Sequence, residues 1–405
     1  MDVILIRPSA REKNYQTLEP ISAIEPPHWI ACRQTELLDQ SHTITIVDMQ
    51  IGQEVPHCHY NRAEIWATGS HPSAWYQAKA AILPNLDASA VTTITKLPSD
   101  YTTVSPCWTN IPIHQYRAHN WHSWSSGTRS PYQTIHTSLS CPYNCKFCTI
   151  HEFYPTHYKV RPIPDVVGDF LPGIRNVKIM DELFITKSSR TFKLLSAITS
   201  TYSDYYNIWG YTRIDAITPA IAKAAKAAGV NWLCVGIESG VQSIRERNGK
   251  GSFTNTDVKT TVSTLKDAGI SVLANFMFGF LNDTQATMQA TLDLANTINA
   301  EYTNFYCVVP YPNSEVAKQA ASAGLNTSRT PSQWAQYSYD FKPMGTLHLT
   351  PTEVLRFRDT AYSTRHNSPT YQRLIAAVYG PTATTEPTST LKRRLFGDAE
   401  PTCND

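Results

Sequence analysis

The chain has 405 residues, with 35 Lys and Arg against 33 Asp and Glu and a formal net charge of +2. That length allows two domains, or one barrel with an addition, and the near balance of charge excludes bulk electrostatics as a basis for binding nucleic acid or an acidic membrane surface. No run of about 18 apolar residues and no basic-then-apolar leader is found, so a cytoplasmic chain is expected, its nine cysteines reduced and free of a disulfide framework.

The first elements alternate strand and helix. Val3 to Arg7 is a short apolar run that reads as a buried strand, and Thr43 to Asp48 is another. Between them Pro27 to Gln40 carries Trp29, Ile30, Cys32, Leu37 and Leu38 at helical spacing, which closes a β-α-β unit. Glu64 to Thr68 is expected as a third strand, followed by an Ala-rich helix from Pro72 to Leu83. This alternation predicts a doubly wound, Rossmann-like parallel sheet over residues 1–115, and such sheets bind ligands beyond their carboxyl ends. Ser9, Thr68, Gly69 and Ser70 stand at those ends, where hydroxyls and bare amides can meet a ligand or simply form strand-to-helix loops. Residues 116–130 form a linker rich in aromatics and imidazoles. Its Trp121, His122 and Trp124 either pack between the flanking domains or line a gap between them.

From residue 131 to 325 the pattern is again strand and helix in alternation. Strands are expected at Tyr132–Thr137, Asn176–Met180, Asn207–Arg213, Trp232–Gly236, Ser271–Phe278 and Thr303–Val309. Six strands fit a partial (β/α)6 barrel of TIM type, whose active site belongs at the carboxyl ends of the strands. The loop after the first strand holds Cys141, Cys145 and Cys148, three thiols within eight residues, which ask for a soft metal or a cluster. A tetrahedral zinc site needs a fourth ligand, and neither His151 nor His157 makes zinc-finger spacing with these thiols. A four-iron cluster can be held by three cysteines with one iron left open.

The spacing Cys-x3-Cys-x2-Cys, with Phe147 just before the last thiol, resembles the signature of the radical S-adenosylmethionine (SAM) enzymes. In that family a [4Fe–4S] cluster binds the amino and carboxylate groups of SAM at its open iron and, once reduced, cleaves SAM to a 5′-deoxyadenosyl radical. The resemblance continues along about 180 residues. Asp181-Glu182 stands at the end of the second strand where relatives carry an acidic motif that meets the SAM amino group, and the resemblance assigns both to SAM, with capping of the helix before Ser188-Ser189 as the alternative. Gly-Ile-Glu238-Ser239-Gly resembles the motif whose Glu and Ser contact the ribose or carboxylate. Arg213 is placed either for the SAM carboxylate or for a salt bridge to Glu238. Asn275 is a polar residue in an apolar strand that approaches the adenine in relatives, and it needs a partner. Ser140 stands where many relatives carry Gly before the first thiol.

The N-terminal sheet resembles the cobalamin-binding domain that precedes the core in one large subfamily. No Asp-x-His-x-x-Gly is present, so no lower axial histidine is supplied. The resemblance implies a cobalamin-dependent radical SAM enzyme, a C-methyltransferase acting on an unactivated carbon of a small molecule. It implies [4Fe–4S], SAM and cobalamin as cofactors and an external one-electron reductant of flavodoxin or ferredoxin type. A radical SAM cyclase or rearrangement enzyme and a non-catalytic iron–sulfur electron carrier are the competing readings. Residues 326–405 are expected as a helical region over the barrel's open edge, ending in a loose tail from about Pro381.

Overall fold

The computed structural model describes residues 1–9, 11–68, 82, 86–154, 157–202, 206–336, 338 and 340–384. Gly69, Ser70 and all but one residue of the expected helix Pro72–Leu83 lie outside the described residues, as does the tail beyond Thr384.

The N-terminal sheet is parallel and four-stranded: β1 (Asp2–Arg7), β2 (Thr43–Asp48), β3 (Arg62–Trp66) and β4 (Val91–Ile94), in the order β2-β1-β3-β4. Val3 to Ile6 of the central strand are wholly buried, as a strand covered on both faces must be. β3 begins two residues before the expected Glu64. Its charged start hid it: Glu64 is buried and held by Arg33 and Arg62, a pairing that only the fold reveals. β4 was not expected at all, because Val-Thr-Thr-Ile at a half-exposed edge shows no apolar alternation. The helix His28–Asp39 starts behind Pro26-Pro27 and presents Trp29, Ile30, Cys32 and Leu37 to the sheet.

The second sheet is six-stranded and parallel: β5 (Tyr132–Ile135), β8 (Asn176–Ile179), β9 (Asn207–Arg213), β10 (Val230–Glu238), β11 (Ser271–Phe278) and β12 (Tyr302–Cys307), each beside its predecessor. A small antiparallel hairpin of β6 (Ser138–Leu139) and β7 (Lys159–Val160) is inserted after β5. Side chains alternate with period two. Val177, Ile208, Val235, Ala274 and Phe305 pack under the helices, while Lys178, Trp209, Cys234, Asn275 and Asn304 point to the concave side. The helices are started by their own side chains: Thr254 and Asp257 form a capping box for Asn255–Asp267, and Thr284 caps Gln285–Ile298.

The linker's short helix Asn120–Ser123 lies across the amino ends of the strands. His122 Nε2 is 2.8 Å from the Asn207 carbonyl, and Asn207 Nδ2 donates back to the His122 carbonyl at 2.9 Å. Trp232 Nε1 donates to Ser125 Oγ at 2.9 Å. C-terminal helix Pro351–His366 packs along the edge strand β12, where Tyr362 and Tyr302 join their hydroxyls at 3.0 Å. Among the described residues no helix is long and apolar enough to cross a membrane.

Candidate active site

The three thiols sit in the connection between β6 and β7, and several contacts shape it. Ser140 adopts φ 64°, a left-handed conformation that costs a side-chain-bearing residue roughly 1–2 kcal/mol, which is why glycine suits this place. Its hydroxyl is 3.3 Å from His151 Nδ1, and His151 Nε2 is 2.9 Å from the Tyr143 carbonyl. His151 is therefore engaged inside the loop. Lys146 N donates to the Asn248 carbonyl at 3.0 Å, and Cys145 Sγ donates to the Gly249 carbonyl at 3.7 Å, so the turn 248–251 carries the loop's far side. Phe147, expected at a cofactor, sets its ring edge-on to Phe280 at 5.8 Å and anchors the loop in an apolar pocket. The surrounding protein raises all three thiols, Cys148 to about 12 even though that side chain keeps open surface, so ligation of a cluster releases protons.

The two strand-end acids part company. Asp181 is buried, and its carboxylate accepts from Thr137 N and Thr137 Oγ1 at 2.6 Å and from Ser138 Oγ at 2.7 Å. Both oxygens thereby brace the start of the thiol loop, and neither the SAM contact nor the helix cap expected of Asp181 is among these contacts. Glu182 faces the cavity described below. Much of its surface is open to that cavity while protein surrounds it, and this enclosure pushes its carboxyl up to about 7, against the pull of Lys178 and with the push of Asp181.

Glu238 also takes a left-handed φ, 69°, and its Oε1 pairs with Lys250 Nζ at 2.7 Å. Gly236 leaves room for this pair: a Cβ there would stand 2.5 Å from Glu238 Oε1 and 2.6 Å from Lys250 Nζ. Arg213 does not reach Glu238. It pairs with Asp215 at 3.0 Å, donates to the Lys250 carbonyl and lies 3.9 Å over the Tyr143 ring of the thiol loop. Ser239 turns inward, where its hydroxyl accepts from Val241 N at 3.1 Å and meets Thr291, so it shapes the chain after β10 and does not reach the cavity.

A cavity of about 820 Å³ opens between the carboxyl ends of the two sheets and runs along the concave side of the second as far as Tyr302 and the linker's Trp121. Arg7, Gln50 and Thr68 line it from the N-terminal sheet, and Glu182, Asn275 and Asn304 from the other. Ser9 does not line it; its hydroxyl accepts from Arg11 N at 3.4 Å. Asn275 finds the partners its position demanded, donating to Cys234 Sγ at 3.0 Å and accepting from Asn304 Nδ2 at 3.2 Å. Trp121 enters the cavity wall against Trp209 and Trp232, whereas His122 is fully buried in the linker and Trp124 packs on Tyr379. Lys178 crosses between the sheets to Glu25, Nζ to Oε1 2.7 Å.

Lys250, Lys178, Glu25, Tyr154 and Asn304 belong to this constellation and were not singled out in the sequence. Lys250 had one signal, a lysine between two glycines in a turn; the others are paired through contacts distant in the chain.

Residues 135–295 match the family model described as the Radical SAM superfamily. An uncharacterized methyltransferase of Pyrococcus horikoshii is 24% identical over 263 residues, 64% of this chain and 54% of the relative. Bacteriochlorophyllide d C-12(1)-methyltransferase of Chlorobaculum tepidum is 24% identical over 187 residues, covering 44% of this chain and 41% of the relative. The chain spans about half the length of the curated relatives it matches. Among solved structures, the radical SAM methyltransferase TsrM of Kitasatospora setae, with cobalamin and a [4Fe–4S] cluster bound, superposes with TM-score 0.67 at 14% identity over 97% of this chain and 99% of its own. The cobalamin-dependent SAM radical enzyme OxsB gives TM-score 0.62 at 11% identity over 98% of this chain and 73% of its own. The fold is that of the cobalamin-dependent radical SAM enzymes.

Proposed function

We propose that this chain, whose residues 135–295 are a radical SAM domain, is a cobalamin-dependent C-methyltransferase acting on an unactivated carbon of a small molecule. The observation that supports this most is the shared cavity: the carboxyl ends of two parallel sheets face each other across about 820 Å³, with Ile150 and Tyr154 of the thiol loop in its wall. An electron carrier has no use for such a chamber.

Cys141, Cys145 and Cys148 are the residues to hold a [4Fe–4S] cluster, since one braced loop offers three thiolates and no fourth. Glu182, which faces the cavity, is the residue proposed for the SAM ammonium, and Glu238, paired with Lys250, the one proposed for the ribose hydroxyls. Arg7, Gln50 and Thr68, which line the cavity from the N-terminal sheet, are the residues proposed for the corrin, with Gly69 and Ser70 beside them from sequence alone. When bound, these groups supply the one-electron chemistry and the methyl group, with electrons from an external flavodoxin- or ferredoxin-type donor.

The chain's own residues bind, orient and enclose. Asn275 and Asn304 present a fixed amide pair to a polar substrate group, and the indoles of Trp121 and Trp209 close the wall against water. Asp181 acts at one remove, holding Thr137 and Ser138 so that the thiol loop keeps its shape.

The test is anaerobic reconstitution with iron, sulfide and cobalamin, followed by SAM and a reductant. Retained corrin absorption with formation of 5′-deoxyadenosine and S-adenosylhomocysteine is the expected result. Failure to cleave SAM in cluster-loaded protein sinks the enzyme reading, and absence of any corrin uptake removes the methyl carrier from it.

A further inference from the structure

Two histidines and a cysteine meet where the helix His28–Asp39 rests on the end of β5. His28 and Cys32 are four residues apart and share a face of that helix. His136 follows β5 directly. All three are buried, and one ligand-type atom from each lies within 4.8 Å of the others.

The imidazoles are short of a proton. His28 Nδ1 is 3.0 Å from the Thr134 carbonyl and His136 Nε2 is 3.2 Å from the Tyr101 carbonyl. Carbonyl oxygens only accept, so each of these nitrogens must carry its ring's hydrogen. The remaining nitrogens, His28 Nε2 and His136 Nδ1, then face each other at 2.6 Å with a lone pair on each. Three contacts need three protons, and two neutral rings bring two. The other tautomer of either ring only moves the clash to a carbonyl. A third proton would leave an imidazolium in a site where burial and the nearby Arg161 both oppose positive charge.

We propose that His28, His136 and Cys32 form a binding site for a d10 metal ion in place of the missing proton: copper(I), which the three hold with no net charge once Cys32 is a thiolate, or zinc(II) completed by a hydroxide as fourth ligand, which is neutral as well. Outer N–H groups donated to backbone carbonyls are the arrangement metal-bound imidazoles adopt, and they fix the inner lone pairs toward the ion. Two imidazoles and a thiolate suit a borderline or soft ion. Binding breaks the S–H bond of Cys32 and releases that proton to solvent as the metal–sulfur bond forms. Nitrogens about 2.0–2.1 Å from a tetrahedral ion sit roughly 3.3 Å apart, so the histidine pair opens by less than about 1 Å. The ion clips the N-terminal sheet's helix to β5, four residues before Ser140 and the thiol loop.

The test uses the full chain with Cys141→Ala, Cys145→Ala and Cys148→Ala, so that the cluster loop cannot take up metal. Elemental analysis after a mild chelator wash is expected to find one zinc or copper per chain, the analysis itself telling which. Cobalt(II) added to the apo protein is expected to give thiolate-to-cobalt charge-transfer absorption. Cys32→Ser, a near-isosteric change, should lower metal retention at least tenfold and abolish that band, with circular dichroism checking that the fold is kept. Folded protein with no retained zinc or copper and no cobalt band, or a Cys32→Ser variant that retains metal as well as its parent, overturns the site.

Discussion

Lys178 and Glu25 form an ion pair across 153 residues of sequence, Nζ to Oε1 at 2.7 Å, that ties the loop before the helix His28–Asp39 to β8 of the second sheet. Glu25's carboxyl is pushed up by burial but pulled further down by Lys178, and it ends below its ordinary value of 4.5. Lys178→Met keeps the stem and strands the carboxylate. Because Glu25 keeps 30% of its side chain open, the expected loss at pH 7 is about 1–2 kcal/mol, less than for a fully buried pair. A depressed acid contributes stability above its unfolded pKa and loses it as pH falls through the folded one. The gap between wild type and variant in denaturant titrations should therefore close below pH 4.5. A gap that persists in acid assigns the loss to packing.

Glu182, with its carboxyl up at about 7, is largely neutral in mildly acidic solution. If it meets the SAM ammonium, the dissociation constant of SAM should tighten as pH rises toward 7, by up to about tenfold per pH unit, and then level off. Glu182→Gln should flatten that profile. The stability of the ligand-free chain runs the other way. The folded state binds an extra proton between 4.5 and about 7, so stability declines through that window, and the glutamine variant should not show the decline. Calorimetry across pH 5 to 8 reads both effects.

Asp181→Asn replaces an acceptor of three hydrogen bonds with an amide that must turn one N–H group toward other donors. The expected cost is about 1–3 kcal/mol, with iron content falling alongside the melting temperature because the strained start of the thiol loop loses its brace. Full iron content combined with lost SAM binding would mean that Asp181 contacts SAM itself.

Gly236→Ala would push a methyl group into the Glu238–Lys250 pair, whose charged ends can swing away while the backbone stays in place. The fold should survive and the dissociation constant of SAM should rise about tenfold or more, some 1.4 kcal/mol. Unchanged SAM affinity would detach Glu238 from the ribose.

Strand alternation in the barrel was legible because a parallel sheet buried on both faces writes near-continuous apolar runs, and Ser271–Phe278 came out with its bounds intact. β4 was not, since an edge strand of Thr and Val carries no such pattern. Position at a strand end marked Asp181 and Glu182 alike, yet adjacent residues point opposite ways, so one clamps the thiol loop and the other faces the cavity. The choice of Asp215 for Arg213 and of Lys250 for Glu238 depends on how the turn 248–251 folds under the thiol loop, which no local spacing encodes.

The linker helix across the amino ends of the strands also limits how this molecule can move. It acts as a stopper: His122 and Asn207 latch it twice, and Trp121 is wedged among Trp209, Trp232 and Tyr302. Drawing the linker helix off the second sheet would pull that indole out at a cost of a few kcal/mol, besides the broken latch. A hinge at the linker is thus an expensive way to admit cofactors and substrate.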